Sequence, residues 1–133
     1  MEILSIDLIT FAHFLIGFYF VFFGFWNIYH WRPTLSVMSQ KNIPHPYLVL
    51  PVGVAWQVIF GSMIALGVYV KLAALLLIPF VLISIFIFHA FWKLTGELRV
   101  LNFIIFLSNL IVTIPVLLLL IAPIAGVSDF FLI

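Results

Sequence analysis

The sequence has no cysteine and very few charged side chains. Its 133 residues include five Lys or Arg and four Asp or Glu, so that only 7% of the chain is charged. Soluble domains usually carry about 25% charged residues, and water is therefore not the expected solvent for most of this surface. The absence of cysteine excludes disulfides, iron–sulfur clusters, covalently attached c-type haem and cysteine-ligated zinc.

Basic clusters and intramembrane carboxylates are also missing. The net charge is +1 and no run of basic residues occurs, so we expect no nucleic-acid partner. The long apolar stretches contain no Asp or Glu, and we expect no metal site within them. Glu2 and Asp7 stand where a signal peptide would carry basic residues. The first apolar stretch is therefore predicted to remain as a membrane span.

What the chain has in excess is apolar side chains, which make up 67% of it. A helix needs about 20 apolar residues to cross a bilayer, and four stretches are long enough. The connections after the second and third stretches are short, which predicts antiparallel neighbours. The sequence thus predicts an all-α membrane protein, a single domain over residues 1–133 folded as an up-down-up-down four-helix transmembrane bundle. Its predicted spans are residues 8–29, 47–69, 72–92 and 101–121.

The distribution of basic residues predicts the orientation. Arg32 and Lys41 lie in the connection 31–46, and Lys93 and Arg99 lie in the connection 93–100, whereas Lys71 is alone on the other side. The positive-inside rule then places both of these connections in the cytoplasm and both termini outside, in the plasma membrane (the bacterial inner membrane). The connection 31–46 contains three prolines among polar residues and is predicted to be an aqueous loop.

Small and polar residues repeat on one face of three predicted spans, at intervals of three and four residues. Small residues allow close helix approach in lipid, where apolar surface alone gives little drive for association. These stripes therefore predict the faces that pack together. They are Thr10, His13, Gly17, Phe20, Gly24, Asn27 and Trp31 in the first span, Gly53, Gln57, Gly61 and Ala65 in the second, and Asn102, Phe106, Asn109 and Thr113 in the fourth.

Proline occurs inside the third and fourth predicted spans. Pro79 and Pro115 each lie about fourteen residues from the basic side, so both kinks are expected at similar depth. The hydroxyl of Thr113 is a candidate donor to a carbonyl that such a kink frees. We interpret both prolines as bends that fit the helices together.

A polar patch is predicted in the half of the bundle nearest the basic connections. Ionisable and amide side chains within a membrane are costly and usually face the protein interior, where they mark a site. By helix rise, His89 lies about 5 Å inside the end of the third span, and the amide groups lie about 12 to 15 Å deep. The candidate binding residues are His89, Asn109, Gln57, Asn27, Trp92 and His30.

Several ligands are compatible with this patch. A quinone head group needs only donors such as His, Asn or Gln beside aromatic walls, and His89 can change charge near neutral pH. A b-type haem held by His30 and His89 is the weaker alternative, because no carboxylate lies in a span to orient either imidazole. The amides can also serve as hydrogen bonds between helices, and the histidines as residues of the membrane interface.

The order of these signals resembles the DoxX family of four-span membrane proteins, which is related to the small subunits of thiosulfate:quinone oxidoreductase. The resemblance runs through nearly the whole chain. It rests on Gly24, on Gln57, Gly61 and Gly67, on the segment Phe88-His89-Ala90-Phe91-Trp92, and on Phe106, Asn109 and Leu110. For some members it implies association with redox enzymes and quinone. Other relatives are thought to be membrane chaperones or cargo receptors.

Two positions depart from the pattern of the family. DoxX proteins usually have Lys where this chain has Asn27 and Glu where it has Gln57. A charged pair has thus been replaced by two neutral groups. The joint change predicts that the two positions touch, because the loss of one partner alone would leave a buried charge unpaired. It also leaves His89 as the titrating group of the predicted site.

The leading hypothesis is a DoxX-like membrane subunit that supports a redox complex and contacts quinone through the polar patch. No motif identifies a catalytic residue or a firmly bound cofactor. The alternative is a non-catalytic assembly or chaperone subunit that binds transmembrane helices of a partner. A solute carrier is a third hypothesis, against which stand the small number of helices and the lack of an internal repeat. The expected partners are the lipid bilayer and other membrane or membrane-associated subunits.

Overall fold

The structure, a computed structural model, describes residues 2–122 and the side chains of residues 7–122. Its elements are α1 (Glu2–Tyr29), α2 (Trp31–Gln40), α3 (Pro46–Leu66), α4 (Val70–Phe88), a 3₁₀ turn (Phe91–Lys93), α5 (Gly96–Ser108), a π-helical turn (Asn109–Thr113) and α6 (Ile114–Ile121). Residues 123–133 of the predicted domain lie outside the described part.

Four helical segments are long and apolar enough to cross a membrane: Asp7–Tyr29, Pro46–Leu66, Val70–Lys93 and Gly96–Ile121. The all-α membrane fold predicted from the sequence is therefore confirmed. We call Gly96–Ile121, which contains α5, the π turn and α6, the last span. We call the end of the bundle that carries Arg32, Lys41, Lys93 and Arg99 the basic end.

The spans pack on one another in chain order. Helix α1 packs on α3, α3 packs on α4, and α4 packs on the last span. Fully buried aliphatic side chains from three of these segments form the main core. They are Ile64 from α3, Val70, Leu77 and Ile85 from α4, and Leu117 from α6.

Glycine allows α1 and α3 to come very close. A Cβ atom added at Gly17 would lie 2.6 Å from the Cα of Ala65, and one added at Gly61 would lie 2.8 Å from the Cβ of Phe20. His13, Gly17, Phe20 and Gly24 are all buried, which confirms most of the predicted stripe. Thr10 is exposed and does not belong to it.

A glycine also ends α3. Gly67 adopts φ 73°, its N–H donates to the carbonyl of Ile64, and the N–H of Val68 donates to the carbonyl of Met63. This left-handed cap is the usual end of a helix and favours glycine because no Cβ is present. The hairpin is therefore Gly67–Tyr69, and α4 begins at Val70, slightly earlier than the predicted third span.

The prediction of an aqueous loop at residues 31–46 is wrong for most of that segment. Residues 31–40 form α2, in which Met38 is 2% exposed and packs with Leu50 and Val54 of α3. Trp31, Leu35 and Met38 are spaced four and three residues apart, which is the pattern of an amphipathic helix. Pro33 is tolerated because it lies in the first turn, where its missing N–H has no partner to lose.

The last span contains a π-helical turn directly before Pro115. The N–H of Ile114 donates to the carbonyl of Asn109, five residues earlier. Proline has no N–H and its ring clashes with the preceding turn, and the wider turn accommodates it. Among the described residues the Thr113 hydroxyl forms no hydrogen bond. The proline is therefore accommodated by the π-helical turn and not by the predicted hydrogen bond from Thr113.

A tryptophan ties α3 to α4 beside the other proline. Trp56 Nε1 donates to the carbonyl of Leu76 at 2.9 Å, three residues before Pro79. We expect Trp56→Phe to lower the free energy of unfolding by about 1 kcal/mol, the typical net value of one hydrogen bond. Unfolding of the purified protein by titration with a denaturing detergent measures this change. Trp92→Phe is the control, because the structure gives no hydrogen bond to the Trp92 ring within residues 7–122, and a loss of equal size there would contradict the assignment.

Candidate functional site at the basic end

Helix α4 ends one residue before His89. The His89 N–H still donates to the carbonyl of Ile85 at 3.1 Å, but the chain then leaves the helix and the Phe91 N–H donates to the His89 carbonyl at 2.8 Å. The sequence predicted a span that continues to Trp92, whereas the α-helix ends at Phe88. Packing of the aromatic residues 91 and 92 against the last span outweighs helix propensity here.

His89 is hydrogen-bonded to Asn102 of the last span. Its Nδ1 lies 2.9 Å from Asn102 Oδ1, while Asn102 Nδ2 donates to the carbonyl of Leu98 at 2.8 Å. Because the amide nitrogen is occupied by Leu98, the oxygen faces the imidazole, and an amide oxygen can only accept. His89 Nδ1 therefore carries a proton. In the neutral ring Nε2 is then an acceptor, and in the charged ring it is a donor.

An aromatic cluster lies around the segment that follows His89. The ring of Phe91 lies 5.0 Å from Phe103 and 5.4 Å from Phe106, centroid to centroid. Trp92 lies 5.7 Å from Phe106 and 5.9 Å from Phe86. Most of these contacts are edge-to-face, the geometry that aromatic pairs prefer. Trp92 remains 46% exposed, so the cluster presents an accessible ring beside His89 and Asn102.

Gln57 lies elsewhere, in the interior of the bundle. It is 7% exposed and seven residues beyond Leu50, about 10 Å deeper by helix rise. Leu50 itself is level with Phe88, since both pack in the cluster around Met38. Gln57 is therefore separated in depth from His89. No contact among the described residues joins the two side chains into one pocket.

Asn27 lies close to the level of Gln57. Gly24 faces Val58 and Gly17 faces Ala65 across the antiparallel pair of α1 and α3. The same register sets Asn27 opposite residue 55, two residues from Gln57 and about 3 Å along the axis. Asn27 is half-buried. This register is compatible with the predicted contact between the two positions, which stays a prediction.

Asn109 and His30 are each hydrogen-bonded within their own helix. Asn109 Nδ2 donates to the carbonyl of Ile105 at 2.9 Å, and α4 separates its span from α3. His30 Nδ1 lies 3.0 Å from the carbonyl of Trp26, and the two rings stack at 4.3 Å. The structure thus gives His30 and His89 different partners. Within residues 2–122 no group of three His, Asp or Glu side chains forms a metal site.

Asn102 is the site residue that the sequence prediction left out. It was placed on the polar stripe of the fourth span but not with His89. The sequence feature that could have identified Asn102 is an amide side chain in the first turns after the connection 93–100. That position is close enough in sequence to contact the end of α4. Two grooves also open on the membrane-facing surface, and neither is lined by a predicted site residue. The contacts therefore favour the His89–Asn102 corner as the candidate site.

Comparison with known proteins agrees with this architecture. The profile of the DoxX family matches residues 8–90. The chain belongs to the DoxX family. It is 29% identical over 109 residues to the inner membrane protein YphA of Escherichia coli (strain K12), an alignment that covers 82% of this chain and 78% of that protein. No solved structure matches the chain.

Membership in the DoxX family and the four spans make this chain a multi-pass membrane protein. The DoxX match includes His89 and ends at Ala90. Asn102 and the rings of Phe103 and Phe106 lie beyond it. The candidate site is thus formed where the matched region meets the last span.

Proposed function

We propose that this DoxX protein is a membrane subunit that binds the head group of a quinone at the His89–Asn102 corner and supports a redox partner at the plasma membrane. The observation that carries the proposal is the hydrogen bond between His89 Nδ1 and Asn102 Oδ1 beside accessible aromatic rings. It fixes the imidazole and leaves Nε2 for a ligand.

The chemistry of the corner matches a quinone in both redox states. A neutral His89 offers an acceptor at Nε2 to a hydroquinone hydroxyl, and a charged His89 offers a donor to a quinone carbonyl. Trp92 and Phe86 supply ring faces for the flat head group, and stacked or edge-to-face contacts between rings are favourable. The site lies at the membrane boundary, where the long apolar tail of a quinone can remain in lipid. In this scheme Gln57 acts as a buried packing residue, and Asn109 acts as a residue that is hydrogen-bonded within its own helix.

Quinone binding can be measured by quenching of tryptophan fluorescence. We expect a short-chain benzoquinone to quench the emission of the purified protein, with much of the effect lost in Trp92→Phe. His89→Ala should weaken binding about tenfold, as expected for the loss of one hydrogen bond between the imidazole and the head group. Asn102→Leu should weaken it as well, since the ring is no longer oriented.

The matched control is His45→Asn. His45 is an exposed imidazole at the same end of the bundle and adopts φ 49°, a conformation that asparagine tolerates. Its replacement should leave binding unchanged. If His89→Ala binds the benzoquinone as tightly as His45→Asn, the proposed site is wrong. A protein that binds no quinone but co-purifies with another membrane polypeptide would favour the assembly function instead.

A further inference from the structure

The two halves of the last span are attached to the bundle very differently. Helix α6 packs along α4, and its Leu117 side chain is fully buried. Helix α5 contributes no buried side chain and packs mainly on the 3₁₀ turn rather than on α4. A segment with few buried apolar contacts is the part of a protein that opens at low cost. The half of the last span nearest the basic end is therefore the loosely attached half.

The regular helix is interrupted on both sides of this loosely attached half. On one side the chain leaves α4 after Phe88, and His89 and Ala90 adopt backbone angles outside the helical region. On the other side is the π turn, residues 109–113. Hinges are usually a few residues in loops or at the ends of elements, where the backbone angles can change. The 3₁₀ turn and α5 thus lie between two positions of this kind.

The π turn lacks part of the usual helical hydrogen bonding. The N–H of Ile114 donates to the carbonyl of Asn109, so it does not donate to the carbonyl of Leu110, its usual acceptor in an α-helix. The next residue, Pro115, has no N–H. The Leu110 carbonyl is left without a helical donor, and a bend at this point breaks fewer hydrogen bonds than a bend in a regular helix. Sharp kinks in helices occur at π-bulges and prolines.

Side-chain contacts at two distances from the π turn hold α5 to the end of α4. The ring of Phe106, three residues before the turn, lies 5.2 Å from the ring of Phe86 in an edge-to-face contact. Asn102 Oδ1 lies 2.9 Å from His89 Nδ1. Asn102 is seven residues before the π turn, about 10 Å along the helix axis. A tilt of α5 about the π turn therefore separates the hydrogen-bonded pair further than it separates the two rings.

We propose that the last span is hinged at the π turn and that α5, together with the 3₁₀ turn, is a lid over His89 whose latch is the hydrogen bond to Asn102. Opening breaks this hydrogen bond and gives a ligand access to the imidazole from the membrane boundary. Helix α6 stays in place, because Leu117 is anchored in the core. The inference goes beyond the proposed function, since the lid opens whether or not a quinone binds at His89.

Distances between pairs of spin labels test the hinge, because the chain has no cysteine of its own. Val100→Cys places a label on α5, Leu119→Cys places one on α6, and Ile59→Cys gives a reference on α3. All three native side chains are more than half exposed. Val100 lies nine residues before the π turn, about 14 Å along the axis. A tilt of about 20°, the lower limit of a sharp kink, moves it by about 5 Å.

We expect Asn102→Leu to release the lid in lipid nanodiscs without quinone. The fraction of copies with a displaced Val100–Ile59 distance should rise about fivefold, as expected for the loss of one hydrogen bond of typical net strength. The Leu119–Ile59 distance should not change. An unchanged Val100–Ile59 distance would overturn the proposal. Equal displacement of both labels would overturn it too, because the whole bundle would then have loosened.

A second substitution tests the position of the hinge. In the Asn102→Leu background, Pro115→Ala should reverse the increase, because alanine supplies an N–H to the Leu110 carbonyl and stiffens the turn. Pro79→Ala in α4 is the matched control and should leave the distances as they are. Equal effects of the two proline substitutions would show that the π turn is not the hinge. Because no quinone is present, these outcomes are independent of the quinone-binding experiment.

Discussion

Gly17→Ala is expected to destabilise the bundle severely, by about 3 kcal/mol or more. The added Cβ would lie 2.6 Å from the Cα of Ala65, in contact with backbone rather than with a side chain that can move. Overpacking in a core typically costs 1 to 3 kcal/mol, and occasionally more. Here α1 and α3 would have to separate along their whole interface. The loss should appear as an earlier unfolding midpoint on titration with a denaturing detergent.

Gly53→Ala is the control for this prediction. The same methyl group added at Gly53 would lie 3.7 Å from Phe80 Cε2, which is an ordinary contact. Because alanine is also the better helix former by about 1 kcal/mol, the variant should be as stable as the native chain or more so. A Gly17→Ala protein that unfolds at the same midpoint as Gly53→Ala would show that α1 and α3 do not pack this closely.

Gln57→Glu should be the most damaging single charge substitution, and Asn27→Lys should rescue it. A carboxylate at position 57 would be buried, since Gln57 is 7% exposed, and a buried charge without a partner typically costs 3 to 5 kcal/mol. Asn27 lies nearly opposite across the α1–α3 interface, as the glycine contacts define it. The double variant restores the pair found in the DoxX pattern and should recover most of the loss.

A double-mutant cycle with unfolding free energies tests this pairing. Gln57→Leu is the control for size, because it removes the amide without adding charge. It should cost less than about 1 kcal/mol, the typical net value of one hydrogen bond, because within residues 7–122 the structure gives the Gln57 side chain no hydrogen bond. Additive effects of Asn27→Lys and Gln57→Glu would mean that the two positions do not interact. The inference that they touch would then be wrong.

Residue patterns predicted much of the α1–α3 interface. The spacing of His13, Gly17, Phe20 and Gly24 identified the buried face of α1 because both glycines of that helix lie on this face among large apolar residues. The contact partners in α3 were predicted in the same way, with Gly61 and Ala65 opposite Gly17. In lipid, close approach depends on small residues, and their spacing can be read in a sequence.

The candidate site was predicted less well. His89 was identified as functional, but its hydrogen-bond partner is Asn102 rather than a residue of the predicted patch. No hydrogen bond among the described residues joins the predicted members of the patch, since Gln57 is buried in the interior and Asn109 is bonded within its own span. Depth along a helix follows from residue number, whereas the angle at which a side chain faces its neighbours depends on how the helices are rotated.

Composition and spacing alone determined that this chain is an apolar protein of four membrane spans with four of its five basic residues at one end. The thickness of the bilayer sets the length of each span, and a surface as apolar as this one is compatible with lipid rather than with water. Only the tertiary structure decided where α4 ends, how α2 packs on α3, and where the last span widens before Pro115. Each of these depends on packing between segments distant in sequence, which local propensity does not contain.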